Sequence, residues 1–261
     1  MTANFETVVA SAPGKVILFG EHAVVYGVTA IAAALSDLRI FVEISSIPEE
    51  AIEVQLHDVI VPSDGTSFSQ KVHFTRMREL FCESVAADVL SPVNPDETIL
   101  EKLRIEFEGA PVAALQGMMA IVYLIVKILP ECLWPKVNSG ITYGGMRFSV
   151  KSKGLPIGAG LGSSAAFSVA LSASLFRLKQ QQQPFLVQDV SNKAEFVSSS
   201  KPPTPVNLTA VEEKVKELLT SCQKSNPVPI PVTLLPVING WAYAAEVVIH
   251  GSPSGLDNTT R

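Results

Sequence analysis

Hydrophobic residues along this chain change their spacing several times, and each change marks an expected element. β-Branched Thr7 to Val9, a Ser-Ala-Pro-Gly stretch at Ser11 to Gly14 and apolar Val16 to Phe19 read as strand, turn, strand, broken at Gly20. Leu38 to Ile47 alternates loosely and Ile52 to Leu56 more strictly, so both are expected strands. From Ser67 to Leu90 polar and apolar residues mix at helical spacing, which predicts a helix. Val112 to Leu129 is apolar on all sides and predicts a buried helix ended by Pro130.

Further along, Gly140 to Val150 reads as a strand, with Gly144-Gly145 as a turn or bulge. Ala165 to Leu178 is small and apolar without Pro or Gly, a good helix. Composition then shifts: a glutamine run at Gln180 to Gln183, a Ser/Pro stretch at Ser198 to Pro205 and a Pro-rich one at Asn226 to Pro236 read as exposed loops. They flank a short charged helix, Ala210 to Ser221. Leu235 to His250 predicts a helix that closes on Gly251 at C′. No repeat with a period of 20 to 50 residues is visible.

Composition narrows the classes. Of 261 residues 47% are hydrophobic and 17% charged, which predicts a sizeable core and excludes a disordered chain. The net charge of −5 argues against bulk binding to nucleic acid or to an anionic membrane. Three widely spaced cysteines form neither a disulfide framework nor a zinc pattern, so an intracellular compartment is expected. The N-terminal residues lack the basic start and apolar core of a signal peptide. Gln116, Gly117 and Lys127 interrupt the most apolar stretch, against a membrane span.

Three segments carry candidate chemistry. In Gly154 to Leu171, Gly158, Gly160 and Gly162 alternate with Ala159 and Leu161 and lead through Ser163 and Ser164 into a helix. Alternate glycines let backbone approach a ligand, and a helix start offers outward N–H groups to an anion such as phosphate. Ser163 or Ser164 either caps the helix or places a hydroxyl on a metal. The spacing is neither a Walker A loop nor G-x-G-x-x-G. In Ser11 to Gly27, Lys15 follows a Pro-Gly pair and Glu21-His22 follows Gly20; alone they also fit a surface lysine and a solvated turn. In Asn239 to Asn258, Glu246 interrupts an apolar helix, so its carboxylate is either solvent-facing or held by a cation. Asp257 follows the Ser252 to Gly255 turn and alone reads equally well as an N-cap, and His250 as a helix C-terminal histidine. Together, a phosphate cradle, a lysine, two carboxylates and serine hydroxyls make an inventory for phosphoryl transfer.

These segments resemble the GHMP kinase family. APGKVILFGEHAVVYG is similar to its first motif, PIGAGLGSSAA to its second, the ATP phosphate loop, and EVVIHGSPSGLD to the segment with its metal-binding Glu and catalytic Asp. GEHAVVYG in place of a galactokinase-like GEHTDY, with the HGSPSGLD run, points to the branch acting on mevalonate. The resemblance implies an α+β fold, the GHMP N-terminal (ribosomal protein S5 domain 2-like) domain, over residues 1–261, with a low-complexity insertion at 179–236. It implies that Gly158, Ala159, Gly160, Leu161, Gly162, Ser163 and Ser164 wrap the ATP phosphates, and that Ser164 and Glu246 hold Mg²⁺. Asp257 is then the base for the substrate hydroxyl, Lys15 touches the reacting oxygens, and Glu21 and His22 line the substrate side. Asp58 falls at an adenine-side polar position, and Lys153 where a small polar residue contacts nucleotide. The implied reaction is ATP-dependent phosphorylation of mevalonate, with a homodimer as the full-length form.

Relatives of this kind carry a second, ferredoxin-like domain with a third glycine-rich motif, which has no counterpart up to Arg261; low turnover from these residues alone is therefore expected. A non-catalytic chain that binds nucleotide or a full-length partner is the alternative, and another small-molecule GHMP kinase a more distant one. Lys15-Val16 and His22-Ala23 also fit a peroxisomal nonapeptide pattern, but they belong to the kinase motif, and cytosol is the expected location.

Overall fold

The computed structural model describes residues 5–20, 26, 29–81, 88–135, 144–182 and 230–251. Five strands form one sheet: β1 (Val8–Phe19), β2 (Ile31–Ile47), β3 (Ala51–Ile60), β4 (Ser67–His73) and β5 (Gly145–Lys153). Their order is β1-β2-β5-β3-β4, antiparallel at every step except the parallel β3–β5 pair. Ile40, Val42 and Ile44 of β2, Ile52, Val54 and Leu56 of β3, and Met146, Phe148 and Val150 of β5 alternate onto one buried face. Helices cover that face. They are α1 (Phe74–Leu80), α2 (Glu97–Glu106), α3 (Val112–Ile128), α4 (Pro130–Leu133), α5 (Ser163–Gln182) and α6 (Leu235–His250). The expected α+β class is thereby met, with α5 lying across β1 and β2 and α6 packed against α5 and α3.

Several boundaries differ from the sequence reading, each for a tertiary reason. Ser11 to Gly14 is no turn: β1 runs through it, and the register on β2 shifts between Pro13 and Gly14. A bulge absorbs the Pro-Gly pair without ending the strand. Ser67 to Leu90 is not one helix, because Ser67 to His73 pairs with β3 and, among the described residues of the stretch, only Phe74 to Leu80 is helical. Gln180 to Gln182 extend α5 instead of starting a loop, anchored by Lys179, whose Nζ donates to the Ile128 carbonyl at 2.8 Å and pairs with Glu131 at 3.0 Å. Pro130 ends α3 as expected, yet also opens α4, where its missing N–H is no loss.

Helix α2, Glu97–Glu106, is additional to the elements expected from periodicity. Its signal was present: Asp96 accepts from the Ile99 N–H at 2.8 Å as N-cap, and Ile99, Leu100 and Leu103 are buried. Helix α6 matches its expected bounds, and Gly251 closes it at φ 79° with its N–H on the Val247 carbonyl at 2.8 Å. The expected helix at Ala210 to Ser221 and the Ser198 to Pro205 stretch lie outside the described residues. Among the described residues no helix is long and apolar enough to cross a membrane.

Candidate active site

The glycine loop joins β5 to α5. Gly158, Gly160 and Gly162 all hold positive φ, at 77°, 75° and 68°. A side chain there would be strained. At Gly158 and Gly160 a Cβ would meet nothing within 4 Å, so these glycines answer to backbone conformation and leave the loop surface open. Ala159 between them is exposed. The loop ends at Gly162, whose carbonyl accepts the Ala166 N–H at 3.0 Å as α5 begins at Ser163. The first N–H groups of a 20-residue helix face outward beside an open glycine loop.

Helix α6 brings a carboxylate to the same helix start. Glu246 is only 3% exposed, and its Oε2 lies 3.4 Å from Ser164 Oγ while its Oε1 accepts from Ser168 Oγ at 3.1 Å. His250, one turn on, stands 3.9 Å from the same carboxylate through Nε2. A buried carboxylate costs free energy unless polar partners offset its lost hydration. Serine hydroxyls from α5 supply part of that compensation. Ser168 was not singled out from the sequence; its signal was the four-residue spacing Ser164–Ser168, which places both on one helix face.

Lys15 enters from β1. It is buried, and its N–H donates to the Leu161 carbonyl at 2.9 Å, so the strand and the glycine loop are joined directly at the lysine. Beside Ser163 and Ser164 opens a cleft walled by Ile40, Leu56, Phe167 and Ile249, with Asp58 and Gln116 as its polar groups. Asp58 Oδ2 accepts the Ser152 N–H just past the last β3–β5 pair, Leu56 with Val150. Gln116, another residue the sequence reading passed over, donates from Nε2 to the Ile249 carbonyl at 3.0 Å and so satisfies one of the final carbonyls of α6.

Lys15, the Gly158–Ser164 loop, Glu246 and Asp58 are thus brought to one region of the fold. Lys153 is not: it is exposed at the end of β5 and does not line the cleft, because β-strand alternation turns it to the open face. Glu21, His22 and Asp257 lie outside the described residues. Among the described residues no group of three or more His, Cys, Asp and Glu side chains is placed to hold a metal ion. The donor set is instead a carboxylate with serine hydroxyls, all hard oxygens, which fits Mg²⁺ with most of its shell left to water and phosphate.

A mixed sheet with helices on one face, and a glycine loop opening a helix that meets a buried glutamate, define a class. The chain is similar to the GHMP kinases: the family model described as GHMP kinases N terminal domain matches residues 121–210. The curated relatives it matches are mevalonate kinases. The mevalonate kinase of Pyrococcus furiosus is 39% identical over 174 residues, covering 66% of this chain and 39% of that protein. That of Mus musculus is 34% identical over 255 residues, covering 97% of this chain and 51% of that protein. The solved mevalonate kinase of Methanococcus jannaschii superimposes with a TM-score of 0.50 at 20% identity, over 98% of this chain and 50% of that one, a likeness of fold. The chain spans about half the length or less of the curated relatives it matches.

Proposed function

We propose that residues 1–261 form the GHMP N-terminal domain of an ATP-dependent mevalonate kinase, and that the glycine loop, Ser164 and Glu246 are its Mg²⁺·ATP site. The observation that carries this reading is the meeting of Ser164 and Glu246, 82 residues apart in sequence, at the open start of α5. The apolar cleft beside it, with Asp58 and Gln116 as polar groups, suits the base of a nucleotide whose phosphates lie on the loop.

In this reading the N–H groups from Gly158 to Ser164 hold the phosphate oxygens, and Lys15 stabilises the charge that builds on the transferred group. Ser164 and Glu246 would hold the magnesium ion, which neutralises phosphate charge when bound. Asp257, from the matching motif, takes the proton of the primary hydroxyl of mevalonate. The hydroxyl oxygen then forms a bond to the γ-phosphorus as the bond to the ADP oxygen breaks, giving 5-phosphomevalonate and ADP. Glu21 and His22 line the substrate side. Reactants and products are small, so no nucleic acid or membrane partner is needed; the full-length protein is a homodimer in the cytosol.

The test is ADP release by the full-length protein, with mevalonate, phosphomevalonate and galactose in competition. Mevalonate should be the preferred acceptor, and Asp257→Ala should lower turnover by about 10² to 10⁴-fold with ATP binding retained. ADP release driven better by phosphomevalonate or galactose would reassign the substrate; full turnover in Asp257→Ala would remove that residue from the chemistry.

A further inference from the structure

The glycine loop touches β1 at both of its ends, and a single missing side chain makes this fit. At the loop entry Leu155, 1% exposed, packs onto Gly14. A Cβ on Gly14 would lie 2.5 Å from Leu155 Cδ1 and 3.2 Å from the Leu161 carbonyl oxygen. At the loop exit that same Leu161 carbonyl accepts the Lys15 N–H. Gly14 is not among the positive-φ glycines, so space and not backbone conformation demands a glycine here.

The sheet is deformed at the same point. Pro13 pairs with Arg39 and the next residue, Gly14, with Leu35, so Ser36, Asp37 and Leu38 bulge out of β2. Bulges re-aim the strand beside them. Arg39 fastens this one: its guanidinium donates to Ser11 Oγ at 3.0 Å and to the Ser11 carbonyl at 2.9 Å. Its backbone also bridges to Gly154, where the glycine loop leaves β5, and Leu38 packs against the same glycine. The bulge, Gly14 and both ends of the loop form one packed unit.

We propose that Gly14 and Leu155 are positioning residues of the site: they clamp the glycine loop onto β1 and fix its height above Lys15. For its ligand the proposal rests on the nucleotide reading above; for its geometry it rests on the Gly14–Leu155 and Lys15–Leu161 contacts. Neither residue lines the cleft beside Ser163 and Ser164. The clamp sets the separation between Lys15 and the anion-facing N–H groups of the loop.

Two readouts test it on the same variants: hydrogen exchange at the Lys15 amide, and Mg²⁺·ATP affinity by calorimetry. Gly14→Ala should speed Lys15 exchange and weaken Mg²⁺·ATP, each by about tenfold, with amides of Val42 and Ile44 unchanged. Leu155→Val alone should change little. Gly14→Ala with Leu155→Val, which removes the clashing Cδ1, should recover both readouts to within about threefold of wild type. Unchanged exchange in Gly14→Ala, or no recovery in the double variant, overturns the clamp. Should Gly14→Ala not fold, Leu155→Ala replaces it: tenfold faster Lys15 exchange supports the clamp and unchanged exchange refutes it. Loss of nucleotide binding in the wild-type chain would sink the nucleotide reading, while the exchange arm still decides the clamp.

Discussion

Ser168 and Glu246 stand 78 positions apart in the chain and 3.1 Å apart in space, hydroxyl to carboxylate, with the carboxylate 3% exposed. This contact joins α5 to α6 and holds Oε1 of the glutamate, leaving Oε2 turned toward Ser164. Ser168→Ala should therefore act on stability and on metal response together. Removing a donor from a buried carboxylate costs about 1–3 kcal/mol. Urea unfolding should show that loss, and Mg²⁺-dependent ATP binding should need more Mg²⁺ in the variant. A loss of stability with an unaltered Mg²⁺ requirement would make Ser168 a packing residue only.

Gly160 offers a test of backbone conformation free of crowding. Its φ is 75° and a Cβ would meet no atom within 4 Å, so Gly160→Ala pays only for the left-handed conformation, about 1–2 kcal/mol. Asparagine tolerates that region better. Gly160→Asn should lose less thermal stability than Gly160→Ala, even though its side chain is larger. The reverse order would show that side-chain size governs the loop.

The Lys179–Glu131 pair predicts a large effect far from the site. Lys179 is 4% exposed and Glu131 16%, with Nζ also on the Ile128 carbonyl. Glu131→Ala leaves a buried ammonium without its counter-charge and should destabilise the chain by about 3–5 kcal/mol. Replacing both residues, as Lys179→Met with Glu131→Leu, should cost much less. Equal losses in the single and double variants would contradict this account.

Much of this site was legible from local signals, and the rest was not, for identifiable reasons. The glycine spacing before Ser163 and the bounds of α6, from Leu235 to Gly251, depend on neighbours in sequence and were read correctly. The Ser11–Gly14 stretch looks like a turn because Pro and Gly usually make one. What keeps it in β1 is Arg39 and Leu155, 28 and 144 residues further along. Ser67 to His73 alternates too weakly to announce a strand; pairing with β3 decides it. That Glu246 meets Ser164 follows from no periodicity, and only the family resemblance placed the two together.

Cys132 gives a pH dependence with a definite sign. Burial pushes its thiol well above the ordinary range, the first cause, with the nearby Glu131 charge adding to it. Below the unfolded thiol's value of about 8.5 both states are protonated and nothing is gained or lost. Above it the unfolded chain releases the proton and the folded chain keeps it, so stability falls by about 1.4 kcal/mol per pH unit. Chemical unfolding between about pH 9 and 10 should approach that slope, and Cys132→Ala should reduce it. An identical slope in the variant would assign the effect elsewhere.

The central claim is that the α5 start and Glu246 form one Mg²⁺·ATP site, and calorimetric titration of ATP with and without Mg²⁺ measures it most directly. Wild-type protein should bind ATP with Mg²⁺ and much more weakly without it, and Ser164→Ala and Glu246→Gln should each abolish most of that difference while both variants stay folded. ATP binding that is indifferent to Mg²⁺ in the wild type, or equally Mg²⁺-dependent in both variants, would contradict the account.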